Sequence, residues 1–189
     1  MNVRIPRRLA AAAVVGATIL SVGVTAGAAQ ASVGYIRTPG TTPYWIAASN
    51  SGMPIAVSGA ANWAGAPIIQ WYNTGGDEQK WYFDYVTDTN DDHIGFMLRN
   101  KNSGLCIDTD GNVGDTLVQT TCNQYDRGQI WNDEFDLDAL GFPEGWDFTN
   151  LGTGLQLDVS GASTSAGANV DLWYSNGGVN QHFTVTQTS

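Results

Sequence analysis

From residue 44 to residue 185 the chain is written in short apolar runs that alternate with polar positions and stop at turn-forming residues. Three of these runs look alike. Tyr44-Trp45-Ile46-Ala47-Ala48 leads into Asn50-Ser51-Gly52, Gly95-Phe96-Met97-Leu98-Arg99 into Asn102-Ser103-Gly104, and Trp146-Asp147-Phe148 into Leu151-Gly152-Thr153-Gly154. Residues that tolerate positive φ, set between alternating runs, predict strands joined by tight turns. After the last of these turns, Leu155, Leu157 and Val159 share one face of a second run. A Gly/Ser loop, a third run holding Val170 and Leu172, a Gly-rich loop and a fourth run complete the unit. No window carries helical spacing over about ten positions, so the pattern predicts an all-β chain.

The unit is repeated. LQLDVSGASTSAGANVDLWYSNGGVNQHF, residues 155–183, matches PIAVSGAANWAGAPIIQWYNTGGDEQKW, ending at Trp81, without a gap at an offset of 102 residues. The two share Val159/Val57, Ser160/Ser58, Gly161/Gly59, Gly167/Gly65, Trp173/Trp71, Tyr174/Tyr72 and Gln181/Gln79, together with a Gly-Gly pair. LCIDTDGNVGDTLVQTTCNQYDRGQIW, residues 105–131, is a more divergent copy between them. The closing Gln-x-aromatic tripeptides begin at Gln79, Gln129 and Gln181, spaced by 50 and 52 residues. A unit of about 50 residues used three times is the signature of a repeat architecture.

Three four-strand units limit the choice of fold. A propeller ordinarily needs at least four blades and a solenoid needs polar end repeats. Closing three units on themselves leaves no sheet edge exposed. The repeats resemble the ricin B-type lectin family, whose domains carry a Cys-Leu-Asp-Val-like second strand, a Val-Gln-Leu-Trp-like third strand and a closing Gln-x-Trp. The resemblance spans about residues 44–185 and implies a β-trefoil with pseudo-three-fold symmetry, its repeats at about 44–93, 94–143 and 144–189.

Residues 1–31 fall outside this pattern. Arg4, Arg7 and Arg8 precede an apolar run over 9–24, and Ala29-Gln30-Ala31 offers a small-x-small cleavage site, as in an export signal. Arg7-Arg8 also permits twin-arginine export. A membrane anchor is the rival reading, but the run is short and mostly Ala, Val and Gly. The expected product is a secreted domain over 32–189. Removing the three signal arginines takes the formal charge from −10 to −13, because the first acidic residue is Asp77. Such a chain repels polyanions, so nucleic acid and anionic membranes are not expected partners. Low charged content, 14%, with 23 glycines and seven tryptophans fits turn-rich strands with aromatic surfaces for uncharged ligands. Cys106 and Cys122 both lie in repeat two, and in an oxidising compartment a disulfide between them is the default. His93 and His182 do not complete a metal site with them, and neither metal nor cofactor is expected.

Period two also selects the outward face. With Leu157 and Val159 inward, Asp158 points out; with Val170 and Leu172 inward, Asp171 and Trp173 point out. A carboxylate that accepts from two hydroxyls and an indole that covers the C–H face of a ring are what a neutral sugar needs. The resemblance implies a sugar site at Asp158, Trp173, Asn180 and Gln181, with Asn180 donating to a hydroxyl and Gln181 bracing. Asp171 stands where the family often has Gln. Repeat one keeps Trp71 but has Ala56 for the Asp and Glu78 for the Asn. Repeat two keeps Asp108 but has Thr120 for the aromatic and Gly128 for the Asn. One competent site, in repeat three, is therefore expected, binding galactose-, xylose- or arabinose-like units in a monomeric lectin.

Other classes fit less well. Asp108-Thr109-Asp110-Gly111-Asn112 resembles part of a calcium loop but lacks the later oxygen ligands. Asp133/Glu134 and Asp136/Asp138 are carboxylate pairs of the kind a glycosidase uses, expected here in turns without a cleft, so no enzyme is expected. The alternative to a lectin is a degenerate trefoil that binds protein or acts as an inhibitor.

Overall fold

Alternating runs become strands only when both faces find partners. The computed structural model describes residues 34–137 and 143–188, the side chains of 135–137, 143 and 144 excepted. Residues 1–31, expected from the sequence to be an export signal, lie outside the described residues. A first strand, β1 (Tyr35–Thr38), precedes the repeats. Repeat one supplies β2 (Pro43–Ala48), β3 (Ile55–Val57), β4 (Ala66–Gln70) and β5 (Trp81–Asp88). Repeat two supplies β6 (His93–Asn100), β7 (Cys106–Asp108), β8 (Val118–Thr120) and β9 (Trp131–Leu137). Repeat three supplies β10 (Pro143–Asn150), β11 (Gln156–Val159), β12 (Val170–Trp173) and β13 (Phe183–Gln187).

The outer strands of each repeat close a barrel. Antiparallel pairing runs β2, β5, β6, β9, β10, β13 and back to β2, six strands with no free edge. The inner strands form hairpins β3–β4, β7–β8 and β11–β12. These hairpins form a ring through Ala66↔Gln119, Ile69↔Asn169 and Thr116↔Asp171. The result is the three-fold β-trefoil implied by the repeats. Trp81, Trp131 and Phe183, the third residues of the Gln-x-aromatic tripeptides, are fully buried with Ile46, Phe96 and Phe148. Leu157, Val159, Val170 and Leu172, with their counterparts in the other hairpins, join the same core. Burial of each such side chain contributes about 1.5–3 kcal/mol.

Two asparagines staple the repeats together. Asn100 and Asn150 occupy equivalent positions at the ends of β6 and β10, both fully buried. Asn150 Nδ2 donates to the Gly128 carbonyl at 2.8 Å and its Oδ1 accepts from the N–H groups of Gly152 and Thr153. Asn100 does the same between the Glu78 carbonyl and the N–H groups of Asn102 and Ser103. Each one joins the end of one repeat to the first turn of the next. At the third junction the equivalent residue is Ala48, and the backbone bond from Ser49 N–H to the His182 carbonyl, 2.8 Å, remains.

β1 has no counterpart in the repeats and gives no periodic signal. It pairs with β5 from Tyr35↔Asp88 to Thr38↔Tyr85. A buried carboxylate holds it. Asp84, fully enclosed, accepts from both Arg37 and Arg99 and from the Gly40 N–H at 2.9 Å. A carboxylate with this many charged donors is compensated for its loss of water. Cys106 and Cys122 are disulfide-bonded, with Cα atoms 5.0 Å apart. Asp133, Glu134 and Asp136 correct the sequence expectation of a turn: they lie in β9, paired with β10. Asp138 lies outside the described residues.

Replacing Asn150 with Ala leaves buried carbonyl and N–H groups without their partner. Chemical denaturation is expected to show a loss of about 2–3 kcal/mol, while Asn90→Ala in the exposed β5–β6 turn costs well under half of that. Equal losses would mean that Asn150 is no more than a surface contact.

Candidate functional site

β11 and β12 place Asp158 directly opposite Asp171, with Gln156 opposite Trp173. Their inward neighbours fill the core, so these side chains stand on the outer face. Asp158, Asp171 and Trp173 line a cavity of about 400 Å³ closed by the 3-10 turn Ser160–Ala162 and by Asn176 and Asn180. The sequence reading put both the carboxylate and the indole in the open. Only Trp173 is, at 43% exposure; Asp158 keeps 4% and Asp171 5%.

The cover comes from the Gly-rich loop before β13. Asn180 Nδ2 donates to Asp158 Oδ2 at 2.8 Å and to the Val159 carbonyl at 3.2 Å. Gln181 Nε2 donates to the same Oδ2 at 2.9 Å and to the Tyr174 carbonyl at 2.9 Å, while its Oε1 accepts from Asn176 N–H at 3.0 Å. Gln181 therefore braces both the loop and the carboxylate. Asn180 differs from the expectation of a ligand donor. Both its amide hydrogens are used within the protein, on Asp158 and Val159, so it positions Asp158. Asp158 Oδ1 accepts from no described residue.

Burial pushes the Asp158 carboxyl above the ordinary carboxylate value, against the pull of the Gln181 and Asn180 amides. For Asp171 the rise is larger, to about 6: burial leads, the Ser160 hydroxyl opposes it, and the Asp158 charge adds to it. Asp171 Oδ1 is buried without a hydrogen-bond partner. Asp115, beside the Thr116↔Asp171 bridge, is the next acidic residue along this face, and no basic residue lines the cavity.

Trp173 is fixed from behind. A Cβ at Gly114, in the repeat-two loop, would sit 3.4 Å from the indole, and Gly114 has φ +83°, where side chains are strained. Trp71 stands on Gly167 of repeat three in the same way, at 3.4 Å with φ +89°. Each platform thus rests on the loop of another repeat.

The other two hairpins hold less. In repeat one Trp71 is 41% exposed and walls a cavity of about 380 Å³, but its floor is Ala56 and Ile69, with Glu78 at the rim. In repeat two the carboxylate is spent internally. Asp108 Oδ2 accepts from Thr120 Oγ1 at 2.6 Å and Gln129 Nε2 at 3.1 Å, and Oδ1 from Thr109 N–H at 2.7 Å. Thr120, noted in the sequence as a missing platform, is also the residue that satisfies the acceptor. Gln79 braces its loop through the Tyr72 carbonyl at 2.7 Å and has no carboxylate to hold. Buried His182, dismissed as a metal ligand in the sequence reading, faces Asp147 at 2.6 Å, and Gln156 also donates to Asp147. Nothing in the repeat pattern singled out that trio.

A closed trefoil with an indole-walled, carboxylate-floored hollow on an outer hairpin is the fold of sugar-binding lectins. The chain belongs to the family described as ricin-type beta-trefoil lectin domain-like, whose profile matches residues 33–125, 77–142 and 128–189. Among solved structures it is similar to the designed three-fold symmetric protein ThreeFoil, 29% identical over 77% of this chain and 99% of that one, with a TM-score of 0.67. The ricin B-like lectin of Macrolepiota procera, solved with lactose, is 26% identical over 77% of this chain and 95% of its own, TM-score 0.61. An exo-β-1,3-galactanase from Clostridium thermocellum is 26% identical over 80% of this chain, TM-score 0.68, but the match is only 31% of that enzyme. No curated protein sequence matches significantly.

The Asp171 carboxyl titrates near 6 when folded against an ordinary value of 3.8, so between those values the folded state binds the proton more readily. Stability from this group is therefore lowest above pH 6 and recovers as the pH falls from 6 toward 4. Asp171→Asn is expected to raise stability at pH 7.5 by about 1–3 kcal/mol and to flatten that part of the profile. Thermal melts across pH check it; an unchanged or lower melting temperature at pH 7.5 contradicts the assignment.

Proposed function

We propose that the protein is a secreted lectin that binds a neutral sugar unit through one site, in repeat three. The observation that carries this reading is Asp158: one carboxylate oxygen is held by Asn180 and Gln181, and the other has no donor among the described residues, beside the exposed Trp173 ring. A sugar laid on the indole brings two neighbouring hydroxyls to that carboxylate, and the C–H face of the ring covers the indole. Galactose-, xylose- and arabinose-like units all offer this combination. The similar Macrolepiota procera lectin, solved with lactose, supports the galactose-like choice. Binding, not turnover, is the activity proposed, in a monomer, with no role for nucleic acid or membrane.

Repeat one offers a platform without a carboxylate pair, and repeat two a carboxylate without a free oxygen, so one site per chain is expected. A shallow site of this size binds a monosaccharide at about 0.1–1 mM. Useful avidity then comes from many protein copies on a polymer surface. Residues 1–31 are proposed as the export signal.

The experiment is binding to a glycan panel followed by titration calorimetry. Asp158→Ala and Trp173→Ala are each expected to weaken binding at least tenfold while thermal melts show the variants still folded at the assay temperature, whereas Trp71→Ala leaves binding within twofold. A stoichiometry of two or three, or loss of binding in Trp71→Ala alone, moves the site elsewhere. Expressed in an exporting host, the protein is expected outside the cell with Ser32 as its first residue by N-terminal sequencing; retention of residues 1–31 argues for an anchor.

A further inference from the structure

Asp158 and Asp171 are an unusual pair to find facing each other. They are direct cross-strand partners, both at least 95% buried, on the floor of a cavity with no basic residue in its lining. Like charges directly opposite on a sheet are destabilising, and a buried acceptor without a donor adds to the cost. Asp158 Oδ2 has two amide donors, Asp158 Oδ1 has none from a described residue, and Asp171 has the Ser160 hydroxyl while its Oδ1 is enclosed without a partner.

The fold does not require this pair. The equivalent cross-strand positions are Ala56↔Ile69 in repeat one and Asp108↔Val118 in repeat two. Where repeat two keeps a lone carboxylate, Thr120, Gln129 and Thr109 satisfy it from within. Only the third hairpin collects two carboxylates and leaves them undercompensated, and it does so beneath the exposed indole of Trp173. A ligand group that neutralises the pair must bring positive charge and several N–H donors on a body with an apolar face.

We propose that the repeat-three pocket prefers sugars bearing a free, protonated amine over their neutral hydroxyl and N-acetylated counterparts, with the Asp158–Asp171 pair as the specificity determinant. The inference rests on the saccharide reading of this site and deepens it. The ring stacks on Trp173 as a neutral sugar would, and an ammonium in place of one hydroxyl donates to Asp158 while its charge offsets that of Asp171. Acetylation removes the charge and two of the donors. A chain with net charge −10 adds a weaker, longer-ranged attraction of the same sign.

The test uses the purified full chain at pH 7 and two probe series: galactosamine, galactose and N-acetylgalactosamine, then glucosamine, glucose and N-acetylglucosamine. Within the series that binds, the amine is expected to bind at least tenfold more tightly than its neutral partners, and this advantage to shrink as sodium chloride is raised from 20 to 500 mM. In Asp171→Asn the ratio of amine to neutral affinity is expected to fall to near one. Neutral sugars that bind while the amines bind no better overturn the inference and leave the saccharide reading standing. Amine binding that survives in both Asp158→Ala and Trp173→Ala reflects general attraction to an acidic surface and also overturns it. If no sugar of either series or of the glycan panel binds, the saccharide reading fails and this inference fails with it.

Discussion

Everything in this domain depends on barrel closure between β13 and β2. The other two inter-repeat junctions, β5–β6 and β9–β10, are hairpins whose strands are neighbours in sequence. The third joins Phe183↔Ala48 through Gln187↔Tyr44, across nearly the whole folded chain. Of the three junctions it closes the longest loop and so carries the largest loop-closure entropy. The Asn100 and Asn150 staples strengthen the two local junctions. At the long-range one, where Ala48 takes the asparagine's place, five residue pairs of regular ladder and the fully buried Phe183 supply the hold. Once that ladder forms, no barrel edge is left open, and the three hairpins have a fixed base on which to meet.

That base explains why one backbone used three times yields three different surfaces. Each platform indole stands on a glycine of another repeat, so Trp173 is set by the repeat-two loop at Gly114 and Trp71 by the repeat-three loop at Gly167. Each closing glutamine reaches the same backbone carbonyl in its own loop: Tyr72, Thr121 or Tyr174. What differs is what else that amide can touch. Gln79 finds no carboxylate. Gln129 shares Asp108 with Thr120 and leaves it nothing to offer a ligand. Gln181 shares Asp158 with Asn180 and leaves one oxygen open. The difference between a carboxylate satisfied within the fold and one with an oxygen left open thus comes down to two side chains, Thr120 against Trp173 and Gly128 against Asn180.

Much of this was legible in the residues alone, and the exceptions have a common cause. Period-two alternation and a repeat offset of 102 residues are local and periodic signals, and they carried the strands, the three-fold closure, the outward face of Asp158 and Trp173 and the core role of Trp81, Trp131 and Phe183. Burial of the outward carboxylates was not legible, because it depends on a loop 22 residues later folding back over β11. The same holds for Asn180, whose amide is turned inward by Asp158 and Val159, and for Asp108, whose partners lie 12 and 21 residues on. β1 left no trace in the pattern because it belongs to no repeat; its place is set by Asp84 and two arginines. The Asp133–Asp136 stretch looked like a turn because acidic runs favour solvent, but Asp133 and Glu134 find solvent equally well on a strand of the barrel.

At the Asp158–Asp171 pair local and global preferences disagree. Other enclosed carboxylates among the described residues have donors of their own: Asp84 receives two guanidinium groups and a backbone N–H, Asp147 the Gln156 amide beside the His182 ring, and the half-buried Asp108 three donors. Sequences that fold well are consistent across levels, and sustained exceptions mark sites whose partner lies outside the chain. Two hairpins of the same trefoil show that the strand pair is stable with Ala and Ile, or with Asp and Val, at these positions. The third could have done the same. Instead it holds two carboxylates face to face, and burial with the Asp158 charge beside it raises the Asp171 carboxyl to about 6, so part of its charge is relieved by a proton near that pH. On the proposal made above, a ligand that supplies donors to this pair would take the place of that proton and draw its selectivity from the two facing carboxylates.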